Sequence, residues 1–558
     1  MAEQRIYHGG MAVDPILELR ESVRRGIEAL AEAPPRADPT LERPPKAELG
    51  DYSTNAAMLL APVLGRPPRE VAEQLVKRFS ATLGEVADRL EVAGPGFVNF
   101  FFGDTWYREA TARLLAEPEL GVADPNGERI LVEYVSANPT GPLTAAGGRH
   151  AAFGDALSRL LEMAGYVVGR EYYANDAGGQ IQRFGLSIQA RMRGEEPPED
   201  GYAGDYLVGL AEQMKEEGLS DEDAGLLASK GVEAMLGRIE KTLDRFGVRF
   251  DRFASEKALY DDGLVAAALA DLERNGHSYE HDGAVWLRST DFGDDKDRVL
   301  VRSDGETTYL ASDAAYHREK LQREQEWGHL IDVWGADHHG YILRVKAALA
   351  ALDLDPDRFE ALIMQFVHLI EGASRAQMSK RAGDFVTLDE LLDDIGVDAT
   401  RFFMLQRNHE TTIDLDLDLA RQRTQENPVY YVQYAHARIA GILAKAAAES
   451  ELSEDQVIAA SNSPAVLASA CEPAETALVR RLLELPQEVR TAAEKRAPHR
   501  LCAYATATAA DFHGFYRDCR VVGAEPELEL ARLGLCLAAK RTIATTLGAL
   551  GIDAPEQM

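Results

Sequence analysis

A β-prone run, Ile130 to Tyr134, passes through the turn-rich SANPTGPL and straight into helical periodicity from Arg149 to Gly165, and no other feature restricts the fold as much. In open parallel sheets each strand is followed by a crossover, and ligands collect beyond the carboxyl ends of strands, where a helix N-terminus favours phosphate. Glu133, Ser136 and Asn138 stand at that place. An ordinary strand-to-helix turn with capping residues is the competing reading. EYYAN, AVWLRS, VLVRS and HLIDVWG are further strand candidates, alternating with helical stretches such as residues 342–352, and that alternation predicts a parallel α/β sheet. The acidic, proline-containing GEEPPEDGY at 194–202 marks the rim of an insertion in this domain.

Upstream, Ile16, Leu17, Leu19, Val23, Ile27 and Leu30 recur at helical spacing before a proline-rich break, and AGPGFVNFFF supplies a turn and a β-prone run. This part reads as a small α+β domain. After about Asp416 strand signals fade, and apolar periodicity over 430–447, 477–493 and 528–550 predicts a helical bundle. The division expected is 1–110, 126–415 and 416–558.

With a formal charge of −32, the chain is excluded from proteins that coat nucleic acid by bulk attraction, although one locally basic face would suffice for an RNA ligand. The N-terminal MAEQRIYHGG lacks the apolar core of a leader and no long uncharged apolar run occurs, so a cytoplasmic, non-membrane protein is expected. Cys471, Cys502, Cys519 and Cys536 show no CxxC pairing, and they are expected as buried helical thiols.

Two other segments carry chemistry. QMSKR at 377–381 can present Ser379, Lys380 and Arg381 to a triphosphate, lysine being a compact charge that follows a moving phosphate. GADHHG at 335–340 follows a strand and holds Asp337, His338 and His339. These are metal-ligand types, but neighbouring residues of an extended chain point oppositely and no HExxH accompanies them, so no bound metal is expected.

Taken in order, GDYSTNAAM, AGPGFVNF, VEYVSANPTGPL, EYYANDAGGQ, TTYLASDAAYH, VWGADHHGY, MSKRAGDFVTLDELL, GVDATRFFML, NPVYYVQYAHAR and FYRDCRVV resemble arginyl-tRNA synthetases of the bacterial type, along nearly the whole chain. The resemblance implies a class I synthetase: a Rossmann-like catalytic domain, an N-terminal domain that touches the tRNA elbow, and a C-terminal helical domain that reads the anticodon loop. It implies activation of L-arginine by ATP, accompanied by Mg²⁺, transfer to tRNA(Arg), and a monomer. Glu133, Ser136 and Asn138 match positions that hold the polar groups of the amino acid. Tyr309 and Asp313 match positions facing the guanidinium, with Glu256 nearby, and Asp337 borders the substrate. His338, Gln365 and Met378 border the nucleotide; Lys380 and Ser379 belong to the mobile loop that steadies pyrophosphate, where Gln377 replaces the loop's first lysine. Tyr430, Tyr431, Tyr434 and Arg438 suit stacking and phosphate contact with tRNA, packing within the bundle being the rival role for about half of them.

One motif departs from the family. Where its members carry H-x-G-H directly after NPTGPL, this chain reads Thr144, Ala145, Ala146 and Gly147. Losing one preorganised donor of this kind typically costs about 2.7 to 4 kcal/mol in the transition state. Backbone amides at Gly147 and Gly148, the Thr144 hydroxyl, and a displaced cation or donor at His150 with Arg149 are the candidate replacements. Otherwise the chain would be a non-catalytic paralogue that binds tRNA or arginine as a regulator, or a ligase that passes arginine to another acceptor.

Overall fold

The computed structural model describes residues 15–31, 35, 37–44, 46–83, 86–117, 120–220, 222–323, 326–372, 374–375 and 386–558. In the N-terminal part, helices Pro15–Glu28, Ala56–Leu64 and Pro68–Leu83 accompany an antiparallel four-stranded sheet ordered Leu41–Glu42, Tyr52–Thr54, Phe97–Phe101, Arg89–Ala93. Of the apolar stripe read from the sequence, Ile16, Leu19, Val23 and Ile27 are buried in the core, and Leu17 and Leu30 are half-buried.

The central part is built on β1 (Arg129–Glu133), α1 (Ala145–Met163), β2 (Val167–Ala174), β3 (Arg252–Ser255), α2 (Tyr309–Gln322), β4 (His329–Gly335), β5 (Phe359–Met364) and α3 (Leu388–Leu405). Its five strands are all parallel, in the order β5–β4–β1–β2–β3. The chain therefore leaves β1 in one direction and returns on its other side at β4, so the crevice between their carboxyl ends is a topological switch point. α1 closes down onto that crevice because Gly154 has no side chain; a Cβ there would lie 2.1 Å from the Tyr134 ring.

Two of the strand candidates join a different sheet. AVWLRS and VLVRS supply Ala284–Leu287 and Arg298–Val301, which form an antiparallel three-stranded sheet with Ser278–His281. For the first the reason is local: Asp282 and Gly283 both have positive φ, the requirement of a tight two-residue hairpin turn joining Ser278–His281 to Ala284–Leu287, and the second pairs in turn with Ala284–Leu287. GEEPPEDGY lies among helices Gly179–Arg193, Asp205–Glu216 and Ala224–Arg245, a helical insertion between β2 and β3 with an apolar core of its own.

The last part is all helical, from Pro428–Ser450 to Pro526–Ala549. The expected run over 477–493 is two helices, Pro473–Leu482 and Leu485–Glu494, because Pro486 is tolerated only in a first turn. Cysteine placement also differs from expectation: Cys502 and Cys536 are buried in helices, whereas Cys519 lies buried just past one and Cys471 is half-buried in a loop.

Candidate active site

The end of β1 is shaped by a strained turn. Val135 and Ser136 both have positive φ, and the Ser136 amide donates to the Tyr134 carbonyl at 3.0 Å. A β-branched valine in that region carries steric strain, which persists where the surroundings enforce it. The turn swings the Ser136 hydroxyl back to donate to Glu133 Oε1 at 2.8 Å and to accept from the Tyr173 amide at 3.2 Å. Asn138 Oδ1 accepts from Asn175 Nδ2 at 3.1 Å, across to the segment after β2. Glu133, Ser136 and Asn138 thus gather at the switch point. Burial, followed by the Asp332 charge, pushes the Glu133 carboxyl up to about 6, against the pull of Lys320.

A second group of acids lies beside them. Glu256, buried at the start of the helix after β3, has its carboxyl pushed up to about 7 by burial and then by Asp313, while Ser312 hydrogen-bonds to it. Asp313 is itself raised, chiefly by burial, and accepts from the Tyr341 hydroxyl at 2.6 Å. The buried Tyr173 hydroxyl, whose ionisation all three carboxylates Glu256, Asp313 and Glu133 oppose, has no hydrogen-bond partner among the described residues. Tyr309 opens α2 and is 67% exposed. Two raised carboxyls and a phenol unpartnered among the described residues stand near one another, a set that a planar, multi-donor cation would satisfy.

The altered turn is organised differently from expectation. Thr144 is the N-cap of α1, its hydroxyl accepting from the Gly147 amide at 3.3 Å, and the Gly148 amide donates to the Thr144 carbonyl at 3.0 Å. Neither glycine amide is left facing a ligand. Gly148 serves packing instead, since a Cβ there would lie 2.7 Å from Leu388 Cδ1 of α3. Arg149 is no displaced cation for phosphate. Its guanidinium turns inward and donates to the carbonyls of Gln365, Phe366, Asn408 and Thr411 at 2.6 to 3.1 Å. Nor does His150 supply a cation: burial pushes its imidazole down to about 4, so the ring is neutral near pH 7. It hydrogen-bonds to the Val333 backbone near Asp337 and His338, and its buried Nδ1 has no partner among the described residues.

Asp337 and His338 lie in the short helix Ala336–Tyr341 directly after the carboxyl end of β4, with His338 Nε2 3.6 Å from Asp337 Oδ2. Gln365 follows β5 and contributes its carbonyl to Arg149 and its amide to the His409 carbonyl. Ser379, Lys380, Met378 and the neighbouring Gln377 and Arg381 lie outside the described residues. The groups missed from sequence are Tyr173, Tyr341, Lys320 and Asp332. Only Asp332 left a signal, a lone acid inside the apolar run HLIDVW.

In the helical part, Tyr430, Tyr431, Tyr434 and Arg438 occupy the half-buried side of helix Pro428–Ser450, while Val432, Gln433, Ala435 and His436 face inward. The Tyr430 and Tyr434 rings stack at 6.1 Å and 8°, and Arg438 lies over Tyr434 and Tyr516 at 5.3 and 4.7 Å.

A parallel sheet with a ligand crevice at its switch point, followed by a helical bundle bearing an aromatic and basic face, has the architecture of a class I aminoacyl-tRNA synthetase. Comparison with known proteins gives the particular family. Residues 17–102 match the arginyl tRNA synthetase N terminal domain, residues 210–439 the class I (R) tRNA synthetase catalytic domain, and residues 432–558 the DALR anticodon binding domain. An arginine–tRNA ligase of Frankia alni is 45% identical over 93% of this chain and 94% of its own length, and one of Salinibacter ruber is 41% identical over 97% and 99%. The Thermus thermophilus arginyl-tRNA synthetase superposes with a TM-score of 0.77 at 26% identity, over 98% of this chain and all of that one. This chain belongs to the arginyl-tRNA synthetase family.

Proposed function

We infer that the protein is an arginine–tRNA ligase: it activates L-arginine with ATP to arginyl-adenylate and passes the arginyl group to the 3′ end of tRNA(Arg). The observation that carries arginine as the substrate is the grouping of Glu256, Asp313 and Tyr173: two carboxyls raised chiefly by burial and a phenol without a hydrogen-bond partner among the described residues. There the guanidinium supplies donors in a fixed plane, to Asp313, Glu256 and the Tyr309 hydroxyl. Glu133 accepts from the substrate ammonium, and Ser136 and Asn138 fix the polar end of the amino acid. The substrate carboxylate, so oriented, attacks the α-phosphorus and pyrophosphate leaves. A terminal ribose hydroxyl of the tRNA then attacks the adenylate carbonyl and AMP leaves.

ATP lies in the crevice between β1 and β4, bordered by Asp337, His338 and Gln365, with Mg²⁺ arriving on its phosphates. Ser379, Lys380 and Met378 belong to the loop that closes on the phosphates. Residues 1–110 contact the tRNA elbow, 126–415 perform both steps, and 416–558 read the anticodon loop through Tyr430, Tyr431, Tyr434 and Arg438. The protein works as a cytoplasmic monomer; no helix among the described residues is long and apolar enough to cross a membrane.

Pyrophosphate exchange with arginine, ATP and cognate tRNA all present tests the reading. Arginine-dependent exchange is expected; tight tRNA binding without exchange would instead identify a regulatory paralogue. In the altered turn, His150→Ala is expected to raise KM for ATP severalfold and spare KM for arginine. Unchanged turnover at subsaturating ATP would remove His150 from the site.

A further inference from the structure

Three buried carboxylates lie in one row across the catalytic sheet. Asp332 on β4, Glu133 on β1 and Glu171 on β2 are register partners, and each is at most 5% exposed. Residues paired across neighbouring strands send their side chains to the same face, and the strands are about 4.8 Å apart. Like charges at such spacing away from water cannot all stay ionised without cations against them.

One helix and its C-cap supply those cations. Arg323 takes both oxygens of Glu171, at 2.5 and 2.8 Å, and the Tyr316 hydroxyl adds a bond to the same carboxylate. Lys320, wholly buried, contacts Glu133 Oε2 and donates to Asp332 Oδ1 and Oδ2 at 3.0 and 3.3 Å. His317 Nδ1 faces the Asp313 carbonyl at 2.8 Å and its Nε2 faces Asp332 Oδ2 at 2.9 Å. Both ring nitrogens therefore meet oxygen partners, one on α2 itself and one on β4.

The compensation is uneven. Glu171 has a bidentate arginine, Asp332 has His317 and a share of Lys320, and among the described residues Glu133 has the other share of Lys320 and the Ser136 hydroxyl, with His317 acting on it from further off. Glu133 is also the member at the mouth of the crevice. Without Lys320 it would face Asp332 with no cation between them and would take up a proton, losing its capacity to accept from an ammonium.

We propose that Lys320 is a positioning residue for the amino-acid substrate: shared between Asp332 and Glu133, it keeps Glu133 ionised and aimed at the crevice for the α-ammonium of arginine. This rests on the reading of Glu133 as the ammonium acceptor. The groups facing Glu133 are Lys320, His317 and Tyr316 from α2, Asp332 from β4, and Glu171 and Tyr173 from β2.

The test is pyrophosphate exchange by the full chain with tRNA present, arginine and ATP varied separately across the neutral pH range. Lys320→Met is expected to raise KM for arginine about tenfold or more, the equivalent of one or more pH units at Glu133, with KM for ATP within about twofold. The acid limb of kcat/KM for arginine should move to higher pH. Lys320→Arg should restore part of the loss, and Lys320→Met with Asp332→Asn should outperform Lys320→Met alone because the repelling acid is gone. Equal losses for arginine and ATP with an unmoved pH limb would overturn the proposal, as would a double variant no better than the single one. Should Lys320→Met not fold, Asp332→Asn alone is informative: with Lys320 left to Glu133, the acid limb should move to lower pH, and an unmoved limb counts against the idea. Glu133→Gln separates the two layers. If it leaves KM for arginine unchanged, the ammonium reading itself is wrong; if it raises that KM while the Lys320 variants do not, Lys320 alone is misassigned.

Discussion

Burial, and after it the neighbouring Asp313 charge, raise the Glu256 carboxyl from 4.5 to about 7. Binding a guanidinium favours the ionised form, so arginine affinity should increase with pH up to about 7 and level off above it. Below that value KM for arginine is expected to rise by about tenfold per pH unit, and Glu256→Gln should flatten the slope while weakening binding throughout. The sign for stability is opposite. A carboxyl whose folded pKa is raised costs the free fold nothing below 4.5, progressively more between 4.5 and about 7, and a constant amount above that, while the arginine complex relieves the cost, so the thermal shift produced by arginine should be larger at pH 8 than at pH 6. An arginine-induced shift independent of pH would contradict this account. TYLASD names Tyr309 and Asp313, but Tyr173, whose hydroxyl feels the Asp313 charge, was not legible: EYYAN reads only as a strand, and which of its two tyrosines turns towards the acids depends on pleat and register.

At the scale of elements, α1 is held by one residue that charge alone would assign to solvent or phosphate. Arg149 is 1% exposed and hydrogen-bonds to four carbonyls from two segments, tying the helix to the end of β5 and to the chain around 408–411. Burial without a carboxylate partner pushes its guanidinium down to about 10. Arg149→Met leaves those carbonyls without their donor and should destabilise the protein by about 2–4 kcal/mol, measured by urea unfolding. Because α1 also carries Thr144 and His150, the surviving folded fraction should show a raised KM for ATP. Gly148→Ala acts on the opposite contact: crowding Leu388 should cost about 1–3 kcal/mol unless α1 and α3 separate. The sequence announced α1 by its apolar spacing, yet it could not say which way Arg149 turns, since helical position 149 is equally compatible with crevice and interior.

Across the whole molecule, the N-terminal part and the helical bundle are joined through buried charge. Arg108, in helix Asp104–Ala116, donates to Glu475 at 2.9 Å and to the Ala470 carbonyl at 2.6 Å, and Arg532 approaches the same carboxylate at 3.3 Å. Asp51 accepts from the Tyr107 hydroxyl at 2.5 Å and from Arg480. Glu475→Ala leaves two buried guanidinium groups without a carboxylate and should cost about 3–5 kcal/mol, seen as a lowered midpoint in chemical denaturation. A loss below about 1 kcal/mol would show that the joint is held by apolar packing alone. The aromatic face of the bundle is a separate matter. Tyr434→Ala should weaken tRNA by about 1–3 kcal/mol through lost stacking, and Arg438→Ala should also reduce the salt dependence of binding, both measured as Kd for tRNA in a salt series. That face lies on a chain of formal charge −32, so its attraction to RNA is local.

What the sequence determined by itself was the set of elements and their kinds: the strand–turn–helix at 130–165, the helical tail, and the short motifs that carry the family resemblance. Those depend on periodicity, turn residues and local spacing, which are properties of neighbouring residues. Tertiary structure alone decided the assignments that depend on distant partners. Asp332, Glu133 and Glu171 form a row only because parallel strands pair in one register, and Lys320 is a buried counter-ion only because α2 packs over that row. AVWLRS left the parallel sheet because a hairpin turn at Asp282 and Gly283 paired it antiparallel with Ser278–His281, and VLVRS then paired antiparallel onto AVWLRS. In the altered turn, the amides of Gly147 and Gly148 were taken by Thr144, and burial made His150 neutral. A side chain's type is written in the chain, but its charge state and its partner follow from what the fold brings against it.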